Sequence, residues 1–127
     1  MFDFSSFKTF DFNEGTPYVS VTKNGVLFNK GTVLKLGKPS HVILLINEES
    51  KQIAIKTCSE LVPQCYPFFK PNNRGVVSVR WNSKDLLSTF QILTGWDLEN
   101  DAYRVEGQLL SDDNAMLFDL NKAEKIT

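Results

Sequence analysis

One succession of elements is readable twice along this chain: a strand, a short asparagine-started helix ending at glycine, a strand, an acidic turn and a returning strand. In the first copy residues 26–28 are extended. Asn29 then caps a helix carrying Val33, Leu34 and Leu36, and Gly37 stops it ahead of Pro39. Residues 41–47 read as a buried strand, Glu48-Glu49-Ser50-Lys51 as its turn and residues 52–57 as the return. In the second copy residues 76–81 alternate as a strand. Asn82 or Ser83 caps a helix with Leu86, Leu87, Phe90 and Leu93 at helical spacing, and Gly95 ends it. Residues 103–110 and 116–120 follow as strands across the turn Ser111-Asp112-Asp113-Asn114. Element order and caps make the match, with Asn29 aligned to Asn82, Gly37 to Gly95, and Glu48-Glu49 to Asp112-Asp113. One such unit leaves sheet faces and edges unpaired, whereas two can bury them against each other. The expected fold class is therefore α+β: a β-rich single domain built from two β-α-β-β repeats.

The expected layout is an aromatic arm over residues 1–16, the first repeat over 17–58, a linker loop over 59–74, the second repeat over 75–120 and a polar tail over 121–127. Within the first repeat, residues 18–21 alternate as an opening strand and Lys23-Asn24-Gly25 signals a turn. The linker holds Pro63, Pro67, Pro71 and Asn72-Asn73. The arm carries Phe2, Phe4, Phe7, Phe10 and Phe12, half of the ten phenylalanines, with no helical stripe. So many aromatics favour packing on the arm's own core, with docking on a neighbouring subunit as the assembly alternative.

A hydrophobic share of 42% and a charged share of 23% place the chain among ordinary globular proteins. No apolar run approaches a membrane-spanning length, and the start lacks a basic-then-apolar leader. Cys58 and Cys65, with six residues between them, read as free thiols in a reducing compartment, and the expected location is cytoplasmic.

Charge is unevenly distributed. Residues 17–84 hold ten bases against three acids, whereas residues 85–127 hold nine acids against three bases. Such a split bears on partners rather than on fold. It marks either a surface for polyanions or halves that attract each other, unless folding interleaves the charges.

No catalytic constellation is readable, so the chain is expected not to be an enzyme, with no cofactor, no metal and no small-molecule ligand. The lone His41 has no nameable nucleophile to serve. Cys58 and Cys65 lack the company a zinc site needs, and Asp97, Glu99, Asn100 and Asp101 lack calcium-loop spacing. Two partner classes remain: a second copy of the chain, assembled through the phenylalanine arm and the Trp81/Trp96 pair, or DNA. For DNA, the candidate phosphate contacts are Lys23, Lys30, Lys35, Lys38, Lys70, Arg74, Arg80 and Lys84, and Asn24 and Asn29 are the candidate base readers.

Residues 18–56, with VTKNGVLFNKGTVLKLGKPSHVILLINEESKQIAIK, resemble the swapped-hairpin domains of AbrB-type transcriptional regulators. The shared parts are Leu36-Gly37 at the helix end, Val42 opening a valine-rich strand, and the hairpin running to Ile55. Such domains build a barrel from two copies, by dimerisation or, in MraZ-like proteins, by tandem repetition. The resemblance implies a swapped-hairpin-like barrel and a DNA-binding regulator using the basic first repeat. The family's arginine-rich loop is represented here only by Lys23, Lys30, Lys35 and Lys38, and Phe28-Asn29 replaces its proline before the helix. Over its whole length the chain also resembles small bacterial and phage-borne proteins, a likeness that implies no function.

Overall fold

Alternating valines and a two-residue turn build the first hairpin of the computed structural model, which describes residues 1–7 and 15–126. β1 (Tyr18–Thr22) pairs antiparallel with β2 (Gly25–Phe28), and Val19, Val21, Val26 and Phe28 all turn inward and are buried. Asn29 then caps α1 (Lys30–Lys35), as its type predicts, and Gly37 follows the helix at φ +84°. β3 (His41–Asn47) and β4 (Gln52–Thr57) form the second hairpin across the expected acidic turn.

Three expectations need correction in the segments that follow, and one alternative is resolved. The linker is not featureless: β5 (Tyr66–Pro67) pairs with His41 and Val42 of β3. Cys58 and Cys65 are joined by a disulfide and are not free thiols, which removes the ground on which a reducing, cytoplasmic setting was read. The next strand, β6, is only Val79–Trp81. Its ladder partner β2 ends at Phe28, opposite Val79, and turns into α1, while the Asn72 side chain accepts from Val76 N at 3.0 Å and donates to Val76 O at 2.7 Å. Ser83, not Asn82, caps α2 (Lys84–Thr94), and Gly95 closes it at φ +78°.

β7 (Ala102–Leu110) and β8 (Ala115–Asp119) form the third hairpin, across a 3-10 turn at Ser111–Asp113. The polar tail adds a strand, because β9 (Glu124–Ile126) pairs with the start of β7. One edge of β7 carries β1, while the other carries β9 and then β8. The strand passes between them at Gly107, where a Cβ would meet Phe118 and Met116 side-chain atoms at 2.8–2.9 Å.

The strands follow one antiparallel path, β5-β3-β4-β8-β7-β1-β2-β6, with β9 beside β7. The result is a small β-rich α+β domain whose curled sheet forms a half-barrel carrying two helices. Phe28 lies at the aromatic centre, with ring centroids 4.9 Å from Trp81, 5.4 Å from Phe68 and 6.0 Å from Phe118. Burial of these rings with Val33, Ile53, Ile55, Phe90 and Met116 supplies the main driving force for folding. No described helix is long and apolar enough to cross a membrane.

Candidate binding groove

β3 was expected to be buried, and most of it is not. Val42 is buried, but Leu45 and Ile46 are 46% and 38% exposed. Topology explains this: β5 reaches only His41 and Val42, so residues 43–47 have no described strand on the side away from β4. Such an edge presents unpaired N–H and C=O groups. Natural edges are usually blunted by charge, proline or shortness. β6 has Arg80 and three residues and β5 has Pro67 and two, whereas the stretch Ile43-Leu44-Leu45-Ile46 has none of these.

α2 stands alongside this edge and leaves a groove. Leu86, Thr89 and Leu93 lie on one stripe of the helix, three and four residues apart. Leu44 and Ile46, two residues apart in β3, turn to the same side of the sheet. Two hollows result. The first, about 250 Å³, is lined by Leu44, Gln64, Tyr66, Trp81, Ser83 and Leu86. The second, about 560 Å³, is lined by Ile46, Glu48, Lys51, Thr89, Ile92 and Leu93. Ile92 is 87% exposed at its mouth. Trp81 walls the first hollow, with its ring edge-on to Tyr66 at 5.4 Å. Ser83 Oγ accepts from Leu86 N at 3.1 Å, so this hydroxyl serves as the helix cap.

The aromatic arm does not pack on the core where it is described. Phe2, Phe4 and Phe7 are 62–67% exposed, and their rings meet one another at centroid distances of 4.8–5.9 Å. A turn gathers them: Phe7 N donates to Phe4 O at 3.0 Å and Ser5 N to Asp3 Oδ1 at 2.9 Å. That amide holds the Asp3 carboxyl below the usual aspartate range. Phe10 and Phe12 lie outside the described residues. Trp81 and Trp96 do not form a pair. Trp81 belongs to the Phe28 cluster, whereas Trp96 stacks on Tyr103 at 4.3 Å and lies parallel to Phe90 at 6.3 Å.

The candidate DNA-contacting residues fall into separate places. Lys23 and Asn24 sit at the β1–β2 turn, where Lys23 and Lys84 line one cleft together with Glu99. Lys30, Lys35 and Lys38 belong to α1 and its exit, at the other end of β2, and Lys38 lies 6.0 Å from the Phe69 ring. Arg74 is in the turn organised by Asn72, and Arg80 lies opposite Leu27 on the outer face. Asn29 has its side chain engaged within the fold. Its Oδ1 accepts from Tyr18 N, Thr32 N and Thr32 Oγ1, and its Nδ2 donates to Thr16 O, all within 3.0 Å. Arg104 was overlooked in the acidic half, yet its guanidinium stacks 4.2 Å from the Tyr18 ring. It shares a cleft of about 430 Å³ with Lys122, Glu106 and Glu124. The charge split is thus interleaved, since strands of the basic half (β1, β4) pair with strands of the acidic half (β7, β8).

His41 Nδ1 lies 3.0 Å from the hydroxyl of its sequence neighbour Ser40. Among the described residues no three His, Cys, Asp or Glu side chains converge. No family model, curated protein or solved structure matches this chain.

Proposed function

We propose that this chain is a non-catalytic binding module that takes an extended, apolar segment as an added strand in the groove between β3 and α2. The observation that carries this reading is the pair of hollows at Leu44 and Ile46, two residues apart beneath an open strand edge. An added strand hydrogen-bonds through its main chain and directs alternate side chains to one side, about 6.8 Å apart. The groove offers that spacing, with α2 as its far wall. Two β-α-β-β units, as in the swapped-hairpin layout, are supported by two pairings of equivalent strands, β2 with β6 and β4 with β8. The test is calorimetric titration with two short peptides of equal composition, one with phenylalanines two apart and one with them adjacent. The alternating peptide binds the protein, and Ile92→Glu weakens it at least tenfold. Equal or absent binding of both peptides overturns the reading.

A second reading, an AbrB-like DNA-binding regulator, draws on Arg80 and Arg104. The cross-strand partners Arg80–Leu27, Leu27–Ser20 and Ser20–Arg104 put both arginines in one row on the outer face, beside Tyr18. Arginines beside a half-buried aromatic suit a nucleic-acid backbone and a base. Duplex DNA titrated at low and at moderate salt tests it, with salt-sensitive binding as the expected result.

A further inference from the structure

We infer that the segment which fills the groove is Phe2-Asp3-Phe4 of a second copy of this chain; this rests on the groove reading above. Phe2 and Phe4 are separated by one residue, so in extended form both rings face one way at the spacing of Leu44 and Ile46. Both rings are exposed, and among the described residues their aromatic partners are each other and Phe7. Opening the turn at Asp3–Phe7 releases two hydrogen bonds to water and straightens the segment. Asp3, between the rings, then points away from the hollows, to the opposite side of the sheet and solvent.

Within one copy Phe2, Phe4 and Phe7 stay exposed and line neither hollow, which leaves the groove to a second copy. Gly15 and Thr16 lie against the start of α1, since a Cβ on Gly31 would meet Gly15 O at 2.7 Å and Asn29 Nδ2 donates to Thr16 O. That is the Phe28 end of β2. α2 begins at the other end, because Trp81 pairs with Val26. Each copy then gives one segment and accepts one, a head-to-tail contact. Two phenylalanine rings bury about 300–500 Å², well under a standard interface. The contact is accordingly weak and concentration-dependent.

Sedimentation velocity on the full chain tests this, using Phe2→Ser with Phe4→Ser as the segment variant and Ile92→Glu as the groove variant. All three positions are exposed, so both variants keep the thermal transition of the parent. The parent mass rises with concentration above 14.4 kDa, and each variant alone stays at the monomer. An equimolar mixture of the two variants forms a 1:1 dimer, because one supplies the rings and the other the groove. Self-association surviving the segment variant or the groove variant overturns the inference, as does a mixture that stays monomeric. A parent that remains monomeric while the alternating peptide still binds overturns the second-copy inference and leaves the groove reading intact. Loss of peptide binding overturns both.

Discussion

The indole N–H of Trp81 donates to the Pro67 carbonyl oxygen at 3.3 Å, and this bond joins β6 to β5, the two ends of the strand path. Among the described residues no ladder closes the sheet at that seam. A side chain spans it, held between Phe28 and Phe68 on the core side and Tyr66 on the groove side. The same residue therefore shapes the core and one wall of the first hollow, so seam and groove respond together to any change in it.

Trp81→Phe keeps an aromatic ring but loses the donor and leaves the Pro67 carbonyl at a half-dry seam. The expected cost is about 1–3 kcal/mol, from the lost hydrogen bond plus a smaller ring in a packed cluster. Urea unfolding reads it directly. The alternating peptide should also bind more weakly to this variant, by several-fold.

Asn29→Ala removes the cap of α1 and strands the Tyr18 amide that the carboxamide also satisfies. Cap loss costs about 1 kcal/mol and an unsatisfied amide about 1–3 kcal/mol, giving an expected fall of about 2–4 kcal/mol in urea unfolding. Asn29→Asp keeps the acceptor, loses only the bond to Thr16 O, and should fall by less. Equal losses in both variants would show that the Thr16 bond, not the cap, carries the effect.

Those two residues also show how far the chain was readable. The cap at Asn29, the stops at Gly37 and Gly95, and the turns at Lys23–Gly25 and Glu48–Lys51 follow from local chemistry, and the structure has them all. The location of the groove does not follow from such chemistry. A run such as Ile43-Leu44-Leu45-Ile46 looks the same in a core strand and in an edge lacking a neighbour, because local sequence does not reveal what lies across the ladder. β9 pairs through its backbone, which composition does not record. Arg104 lies among acids in sequence, and its place on Tyr18 depends on β7 pairing with β1.

The aromatic turn should respond to acid. Asp3 is fully exposed and its carboxyl is held below the ordinary value of 3.8 by the Ser5 amide. A depressed carboxylate stabilises its turn fully above the unperturbed value and loses that contribution as pH falls through the lowered one. The Ser5 amide resonance should therefore titrate with a midpoint below 3.8, and Asp3→Asn should abolish that titration. A midpoint at or above 3.8 would mean that the amide is not bonded in solution.

The Cys58–Cys65 disulfide closes the excursion between β4 and β5 and ties the start of β5 back toward the end of β4. Only Tyr66 and Pro67 then run along β3, which leaves the rest of its edge open. Cys58→Ser with Cys65→Ser removes the tie. The chain-entropy relation for so short a loop gives a loss of about 2.5 kcal/mol, read as an earlier urea midpoint. Gln64 and Tyr66 line the first hollow, so the freed loop should also weaken the alternating peptide. Hydrogen exchange at the amides of Tyr66 and Phe68 should quicken, Pro67 having none, while that of β1 and β7 stays slow, because those strands are held by other ladders. An unchanged midpoint together with unchanged exchange would mean that pairing with His41 and Val42 holds β5 unaided, and that the extent of the open edge is set by Pro67 alone.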